Sequence, residues 1–348
     1  MDILVTGSGG FVGQTLVRTL LETRPNDRIF AFLLPHEEVP EFWSDNATII
    51  RGDLRDRETV FSAISGKSLV FHLAAYISYW KLDETRMQEI NRDAVRHVID
   101  ACIAADVKRL VHISSVGAIG FRKDGSETKE SEPFNWPEDF GYMTTKRDGQ
   151  RMVLDAVRNH NLDAVIVNPA SVMGPGDPDG NSAHNRLYVD MYRRPFFFGT
   201  FAGGLAIVDV RDLVSVIVSA ADKGRAGECY LAVGANVPYR RVLEIMAKEA
   251  GKPFIPWKVP PLLLTSAGYV MEGLSLLTRK RPLLTTAYGR LSGWTAYYAN
   301  TKSIEELGAH YRPLEQTIAD TCSWFEKTLL KSSRGIDTTA QSPETRLK

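Results

Sequence analysis

Near its start the chain reads Thr6-Gly7-Ser8-Gly9-Gly10-Phe11-Val12-Gly13, between a short apolar run (Asp2–Thr6) and a stretch with apolar residues at helical spacing (Phe11–Leu21). Few features constrain a fold as much as a glycine-rich turn joining a first strand to a first helix. Helix N-termini leave backbone N–H groups without partners and carry the positive end of the helix dipole, so phosphate binds there. The spacing Gly7, Gly10, Gly13 gives each glycine a task. Gly7 permits the tight turn, Gly10 lets the backbone approach a pyrophosphate, and Gly13 lets the helix pack closely on the sheet. The G-x-G-x-x-G register fails, because Val12 occupies its last position. Gly9, Phe11 and Val12 complete the expected phosphate-facing stretch. The motif predicts a dinucleotide cofactor.

The pattern that follows fits such a loop. Arg28–Leu34, Thr48–Arg51, Ser68–Leu73, Arg109–Ser114 and Ala164–Asn168 read as strands. Helical periodicity marks Ile90–Ala105 and Tyr142–Asn159. Strands alternating with helices predict an α/β fold, a doubly wound parallel sheet of the Rossmann type. After Pro169 the texture changes. Gly174–Ser182 is a loop rich in Gly, Pro and Asp; Ala206–Val210 and Glu228–Val233 read as further strands, and a helix runs on from Val210 through about Ala221. From Pro238 on, helical patterns and prolines dominate. The expected division is a nucleotide-binding domain over 1–170 and 204–237, a smaller and mainly helical substrate cap over 171–203 and 238–330, and a disordered polar tail over 331–348.

Composition excludes several function classes. The 348 residues hold 42 Lys+Arg against 42 Asp+Glu, and this balance argues against a nucleic-acid partner. Cys102, Cys229 and Cys322 are too few and too far apart for a disulfide framework or a zinc site. No His/Cys/Asp cluster has metal-ligand spacing, so no metal is expected. The N-terminus lacks the basic region and long apolar stretch of a secretion signal, and a reducing cytoplasm is the expected location.

Catalytic candidates lie where doubly wound sheets place ligands. Ser114-Ser115 ends the strand that begins at Arg109, and Tyr142-Met143-Thr144-Thr145-Lys146 opens a helix. Residues four apart share a helix face, so Tyr142 and Lys146 point the same way. A carbonyl that accepts hydride at carbon needs a proton donor at oxygen. A free phenol titrates near pH 10, and lowering that by about 3 units takes roughly 4 kcal/mol of phenolate stabilisation. The Lys146 ammonium and a nicotinamide cation are expected to supply it. Tyr142 is then the acid/base, Lys146 also grips the cofactor ribose, and Ser115 orients the substrate oxygen.

Further cofactor contacts are expected from Asp53-Leu54, Leu73-Ala74-Ala75 and Asn168-Pro169-Ala170-Ser171-Val172. Asp53 suits the adenine amino group; its alternative role is a helix N-cap. For Leu73-Ala74-Ala75 the alternative is tight packing. An acid at the end of the second strand would bind the ribose 2′-hydroxyl, and an arginine would accommodate a 2′-phosphate. Leu33-Leu34-Pro35-His36 is neither, although Glu37 and Glu38 follow, so the cofactor reads as NAD or NADP.

The glycine loop, Ile90-Asn91, Ser114-Ser115, Tyr142-x-x-x-Lys146, Asn168 through Gly176, Val208-Asp209-Val210-Arg211-Asp212-Leu213 and Gly227-Glu228-Cys229-Tyr230 together resemble the extended short-chain dehydrogenase/reductase superfamily over about residues 2–328. The resemblance implies that Ser115 is the catalytic serine of its pair, that Asn168–Gly176 packs against nicotinamide, and that Asn91 lies near a proton relay. It also implies an oligomer, a homodimer pairing Ile90–Ala105 and Tyr142–Asn159. The C-terminal pattern from Val259-Pro260-Pro261 through Tyr297-Tyr298 resembles the 3β-hydroxysteroid dehydrogenase/dihydroflavonol reductase-like branch. Val116 and Gly117 stand where sugar-nucleotide dehydratases carry acids, and Gly204–Ile207 lacks the phosphate-binding arginine of many epimerases. The expected function is therefore an NAD(P)-dependent oxidoreductase acting on an apolar ketone or secondary alcohol. A nucleotide-sugar epimerase and a non-catalytic NAD(P)-binding regulator remain as alternatives.

Leu262–Leu277, followed by Arg279-Lys280-Arg281, reads first as a helix lining the substrate pocket. Its alternative is peripheral contact of 262–281 with a membrane surface. Arg193 through Phe198, Tyr188 and Tyr192 read as pocket wall, and His72 and His112 as core residues.

Overall fold

A computed structural model describes residues 1–43, 46–177, 188–190, 192, 200–254 and 257–330. The first strand, β1 (Asp2–Thr6), is buried from Ile3 on and leads through the glycine turn into α1 (Phe11–Thr23). α1 turns Leu16, Val17 and Leu20 to the sheet at helical spacing. The strands β2 (Arg28–Leu33), β3 (Ala47–Arg51), β4 (Leu69–His72), β5 (Arg109–Ile113), β6 (Ala164–Pro169) and β9 (Cys229–Ala232) complete a seven-stranded sheet of order β3-β2-β1-β4-β5-β6-β9. Every pairing in it is parallel. The chain runs outward from β1 to β3 and then returns to the other side of β1 with β4. That reversal opens a crevice at the carboxyl ends of β1 and β4, where such folds bind ligands.

Helices cover both faces. On one, α2 (Arg57–Ile64), α4 (Ala94–Ala104) and α5 (Gly141–His160) bury Val60, Val98 and Val153 with the sheet's Leu4, Val70, Leu110 and Ile166. On the other, α1 and α6 (Val210–Lys223) pack Leu16 and Ile217 against Val5, Phe71 and Val111. The helix expected over Ile90–Ala105 begins earlier. The short α3 (Glu84–Gln88) passes through a π-helical turn, Glu89–Asp93, into α4.

Ala206–Val210 was expected as one more strand; the strand there, β8 (Gly204–Asp209), does not extend the large sheet. It pairs with β7 (Ser171–Met173) and β10 (Ala235–Pro238) in a separate three-stranded sheet. Only Ala170 separates β6 from β7, so the chain leaves one sheet and enters the other within a residue. Beyond β10, α7 (Tyr239–Glu249) and α11 (Leu314–Trp324) form a third core with Met173 and Ile207. Helices α8 (Pro261–Thr278) and α9 (Thr286–Leu291) form a pair, and α10 (Thr301–Leu307) packs on α6. Residues 331–348 and the Arg193–Phe198 segment lie outside the described residues.

Candidate active site

The glycine loop adopts the geometry its sequence predicts. Gly7 has φ +67°, and a Cβ there would lie 2.7 Å from the Ala74 nitrogen. A Cβ on Gly13 would lie 2.1 Å from the Gly7 carbonyl oxygen. Gly10 is the N-cap of α1 and supplies no side chain to its first turn, so no side-chain cap occupies the N–H groups there. Ser8 is buried and donates to the Phe32 carbonyl at 2.8 Å, which fastens the loop to β2. Leu73, Ala74 and Ala75 follow β4 directly, and Ala74 packs against the turn at Gly7. These positions fit a dinucleotide, whose pyrophosphate the loop and the α1 N-terminus would hold.

Asp53 is half-buried, and Arg55 binds its carboxylate at 2.7 Å and lowers its pKa. The N-cap of α2 is Asp56, which accepts from the Glu58 N–H at 3.1 Å. Glu37, noted in the sequence only as following His36, comes close to the loop. It is half-buried and folds back, with Oε2 accepting from the Leu34 N–H at 2.8 Å. The same oxygen lies 3.0 Å from where a Cβ on Gly9 would sit, so a carboxylate stands at the edge of the loop. Arg51 fixes this turn by donating to the carbonyls of Leu34, Pro35 and Glu37.

Past β5, Ser115 caps a short 3₁₀ turn, Val116–Ala118. Its Oγ accepts from the Gly117 N–H at 3.0 Å and lies near enough to Tyr142 to act on that phenol's pKa. Tyr142 is 7% exposed and Lys146 3%. They stand one turn apart on the inward face of α5. Lys146 Nζ donates to the Ile113 carbonyl at 2.9 Å, tying the helix to the end of β5. Burial pulls the Lys146 pKa down to about 8. The lowering expected of the Tyr142 pKa involves the nicotinamide cation as well as Lys146, and the protein alone shifts it the opposite way. Burial pushes its pKa up, and the nearby Ser115 hydroxyl opposes this without reversing it. Within the protein itself, loss of hydration at the phenolate is the dominant cause.

Asn168 is fully buried at the end of β6. Its Nδ2 donates at 2.7 Å to both the Ser115 carbonyl and Gln150 Oε1. Pro169 pairs with Ala232, and Ala170 donates to the same residue's carbonyl at 3.0 Å. Ser171 meets the Tyr188 hydroxyl at 2.8 Å, and Val172 lies in β7 beside Val208. Asn91 sits in the π-helical turn with its amide committed to the Tyr76 backbone and to Thr145. His72 and His112 stack with ring centroids 5.4 Å apart, both buried, and His72 bonds Thr6 at 2.7 Å. Burial and then the Lys146 charge depress both, His72 to about 3. Among the described residues no acidic, His or Cys cluster could hold a metal.

Aromatic rings flank the Ser115–Tyr142 pair. Tyr79 lies edge-on to Tyr142 at 6.0 Å, and Tyr288 of α9 packs on Tyr79 at 4.6 Å. Burial raises the pKa of both phenols, that of Tyr288 to about 12. Neither ring was anticipated from sequence. Tyr76-Ile77-Ser78-Tyr79-Trp80, an aromatic cluster directly after a ligand-bearing strand end, was the available signal. Tyr192 is not part of this wall. It packs on Phe325 and bonds Glu326, in the core under α7 and α11.

A glycine-rich turn between first strand and first helix, a crevice at a strand reversal, and a Ser-Tyr-Lys set beside it are the marks of the short-chain dehydrogenase/reductase class of nicotinamide-dependent enzymes. The chain belongs to the NAD dependent epimerase/dehydratase family, whose model matches residues 3–233. It is 30% identical over 344 residues to "Sterol demethylase protein B" of Methylococcus capsulatus, covering 94% of this chain and 99% of that one. It is 35% identical over 291 residues to "2-alkyl-3-oxoalkanoate reductase" of Stenotrophomonas maltophilia, covering 81% and 85%. Among solved structures, that of gox2253 superposes with a TM-score of 0.80 at 28% identity, covering 94% of this chain and 98% of the other. No helix among the described residues is long and apolar enough to cross a membrane.

Proposed function

We propose that this enzyme interconverts a ketone and a secondary alcohol on a largely apolar substrate, with Tyr142 as the acid/base. The observation that carries the reading is the placement of the buried Tyr142 phenol and the Ser115 hydroxyl side by side past β5, with Lys146 anchored one helical turn away. A bound nicotinamide dinucleotide supplies the hydride donor or acceptor. Ser115 holds the substrate oxygen beside the phenol, and Tyr142 gives or takes the proton at that oxygen. Lys146 is fixed by the Ile113 carbonyl, which leaves its remaining N–H groups for the ribose and the phenol oxygen. Gly7, Gly9, Gly10, Phe11, Val12 and Gly13 hold the pyrophosphate. Leu73, Ala74 and Ala75 with Asn168 through Val172 flank the nucleotide, and Asp53 and Leu54 flank the adenine.

Residues 1–170 and 204–237 form the nucleotide half in this reading, with 171–203 and 238–330 as the cap. The apolar substrate rests on the Tyr79–Tyr288 wall and on relatives named for a sterol and for 2-alkyl-3-oxoalkanoates. The Glu37 carboxylate, placed to accept from a ribose hydroxyl and to repel a 2′-phosphate, favours NAD over NADP. The outward faces of α4 and α5 carry Arg96, Asp148, Arg151 and Asp155, so a homodimer through them would be polar.

Incubating the protein with NADH or NADPH and a panel of steroid, long-chain and cyclic ketones tests this reading. Turnover is expected with NADH, and Tyr142→Phe is expected to lower it by about 10²- to 10⁴-fold with cofactor binding kept. Turnover of nucleotide sugars alone would select the epimerase instead. Unchanged turnover in Tyr142→Phe ends the proposal.

A further inference from the structure

Helix α8 has its apolar side facing out. Of its 18 residues only Gly268 and Ser275 are buried. Leu262 is 78% exposed, Tyr269 63%, Val270 64%, Leu274 55% and Leu277 83%. With Leu263 they lie on one helical face, spaced at i, i+1, i+7, i+8, i+12 and i+15. Ser266 and Gly273 fill the gaps, so the stripe holds no charged residue. Glu272 is the one charge in the helix. It turns away from the stripe and accepts a hydrogen bond from Thr286. At its C-terminus the helix ends in exposed Arg279 and Lys280, followed by Arg281, which is bound to Asp83 and Tyr76.

We infer that α8 lies in the interface of an anionic lipid bilayer, with its leucines among the acyl chains and Arg279 and Lys280 at the headgroups. The stripe from Leu262 to Leu277 is about 23 Å long at 1.5 Å per residue, within the length of an interfacial helix lying in the membrane plane. Protein interfaces fix register with a polar rim and directed hydrogen bonds. This stripe offers only the Ser266 and Tyr269 hydroxyls for that purpose, whereas a lipid surface requires only apolar depth and a basic collar. The opposite side of the helix reaches the site. Ser275 accepts from the Trp80 indole at 3.0 Å, and the partner helix α9 carries Tyr288 onto Tyr79. Lipid-dissolved substrate would then meet the protein at the element that backs the aromatic wall. That last step rests on the proposed oxidoreductase activity; the membrane contact does not.

Flotation of the full chain with vesicles of phosphatidylcholine and phosphatidylserine in equal parts, at low salt, tests the contact. Co-flotation is expected, and it should weaken with added salt and with pure phosphatidylcholine. The double variant Leu262→Glu/Leu277→Glu should remain unbound while reducing a water-soluble ketone at the normal rate. Arg279→Glu/Lys280→Glu should bind at least about tenfold more weakly. Absence of flotation overturns the inference, as does flotation that the leucine substitutions leave intact. Light scattering that shows a dimer split by the same substitutions, without lipid binding, would assign the face to a second copy and overturn it as well. Flotation reads binding rather than turnover, so its failure is distinct from failure of the catalytic reading.

Discussion

Helices α5 and α8 are close in length, 20 and 18 residues, and opposite in orientation. α5 turns Tyr142, Thr145, Lys146 and Gln150 inward and leaves Arg151 and Asp155 to water. α8 turns small residues inward and leaves leucines to water. An ordinary surface helix buries apolar residues and exposes polar ones. The two depart from that rule in different ways. In α5 a buried ammonium carries a desolvation penalty that the Ile113 carbonyl offsets only in part. In α8 the apolar surface stays hydrated in the isolated chain. The difference teaches where to look: polar groups forced inside mark chemistry, and apolar groups kept outside mark a missing partner.

The sharpest way to break the comparison is at Lys146. Its pKa in the folded chain, about 8, lies below the ordinary 10.5, so below pH 8 the folded state holds an unfavourably buried charge. Lys146→Met is expected to raise unfolding stability at pH 7 by about 1–3 kcal/mol while cutting turnover at least about 10²-fold. Wild-type stability should gain on the variant as pH climbs from about 8 toward 10.5, because only the unfolded chain keeps that proton there. Denaturant melts at pH 7 and pH 10 check both signs; a destabilised variant at pH 7 would show that the carbonyl bond outweighs the desolvation.

A smaller effect comes from the histidines behind the same lysine. His72 titrates at about 3 in the folded chain against an ordinary 6.5, and His112 lies well below its ordinary value too. Between those limits the unfolded chain binds protons that the folded chain does not. Stability should therefore fall as pH drops below about 6.5, by up to about 1.4 kcal/mol per pH unit for each histidine. Thermal melts from pH 7 to pH 4 should show this slope, and His112→Phe should remove about half of it. The smallest effect is expected on α8. Leu277→Ser should change unfolding stability by no more than about 0.5 kcal/mol. A larger loss would mean that the leucine packs within the monomer, and the contrast with α5 would fail.

Local sequence made much of the nucleotide half readable. The glycine spacing, the Ser-Ser strand end and the four-residue step from Tyr142 to Lys146 depend on neighbours along the chain. What escaped depends on distant contacts. Tyr288 reaches Tyr79 only because α9 pairs with α8. Glu37 matters because a turn carries it back to Gly9. The strand at Gly204–Asp209 was legible as a strand, yet its partners β7 and β10 were not, since an apolar run does not name its neighbours. The phenol's pKa in the protein alone lies above its ordinary value because of burial, which depends on tertiary packing and not on the neighbour one helical turn away.

The junction at Ala170 has a mechanical consequence. Asn168 and Pro169 are stitched to β9, and Ser171 to β8, so the two sheets are geared through one residue with no slack between them. A tilt of the smaller sheet would reach the Asn168 amide within two residues of the junction, and through it the Ser115 carbonyl. In the proposed reaction Ser115 is the residue assigned to the substrate oxygen, so cap and site would share one short hydrogen-bonded path.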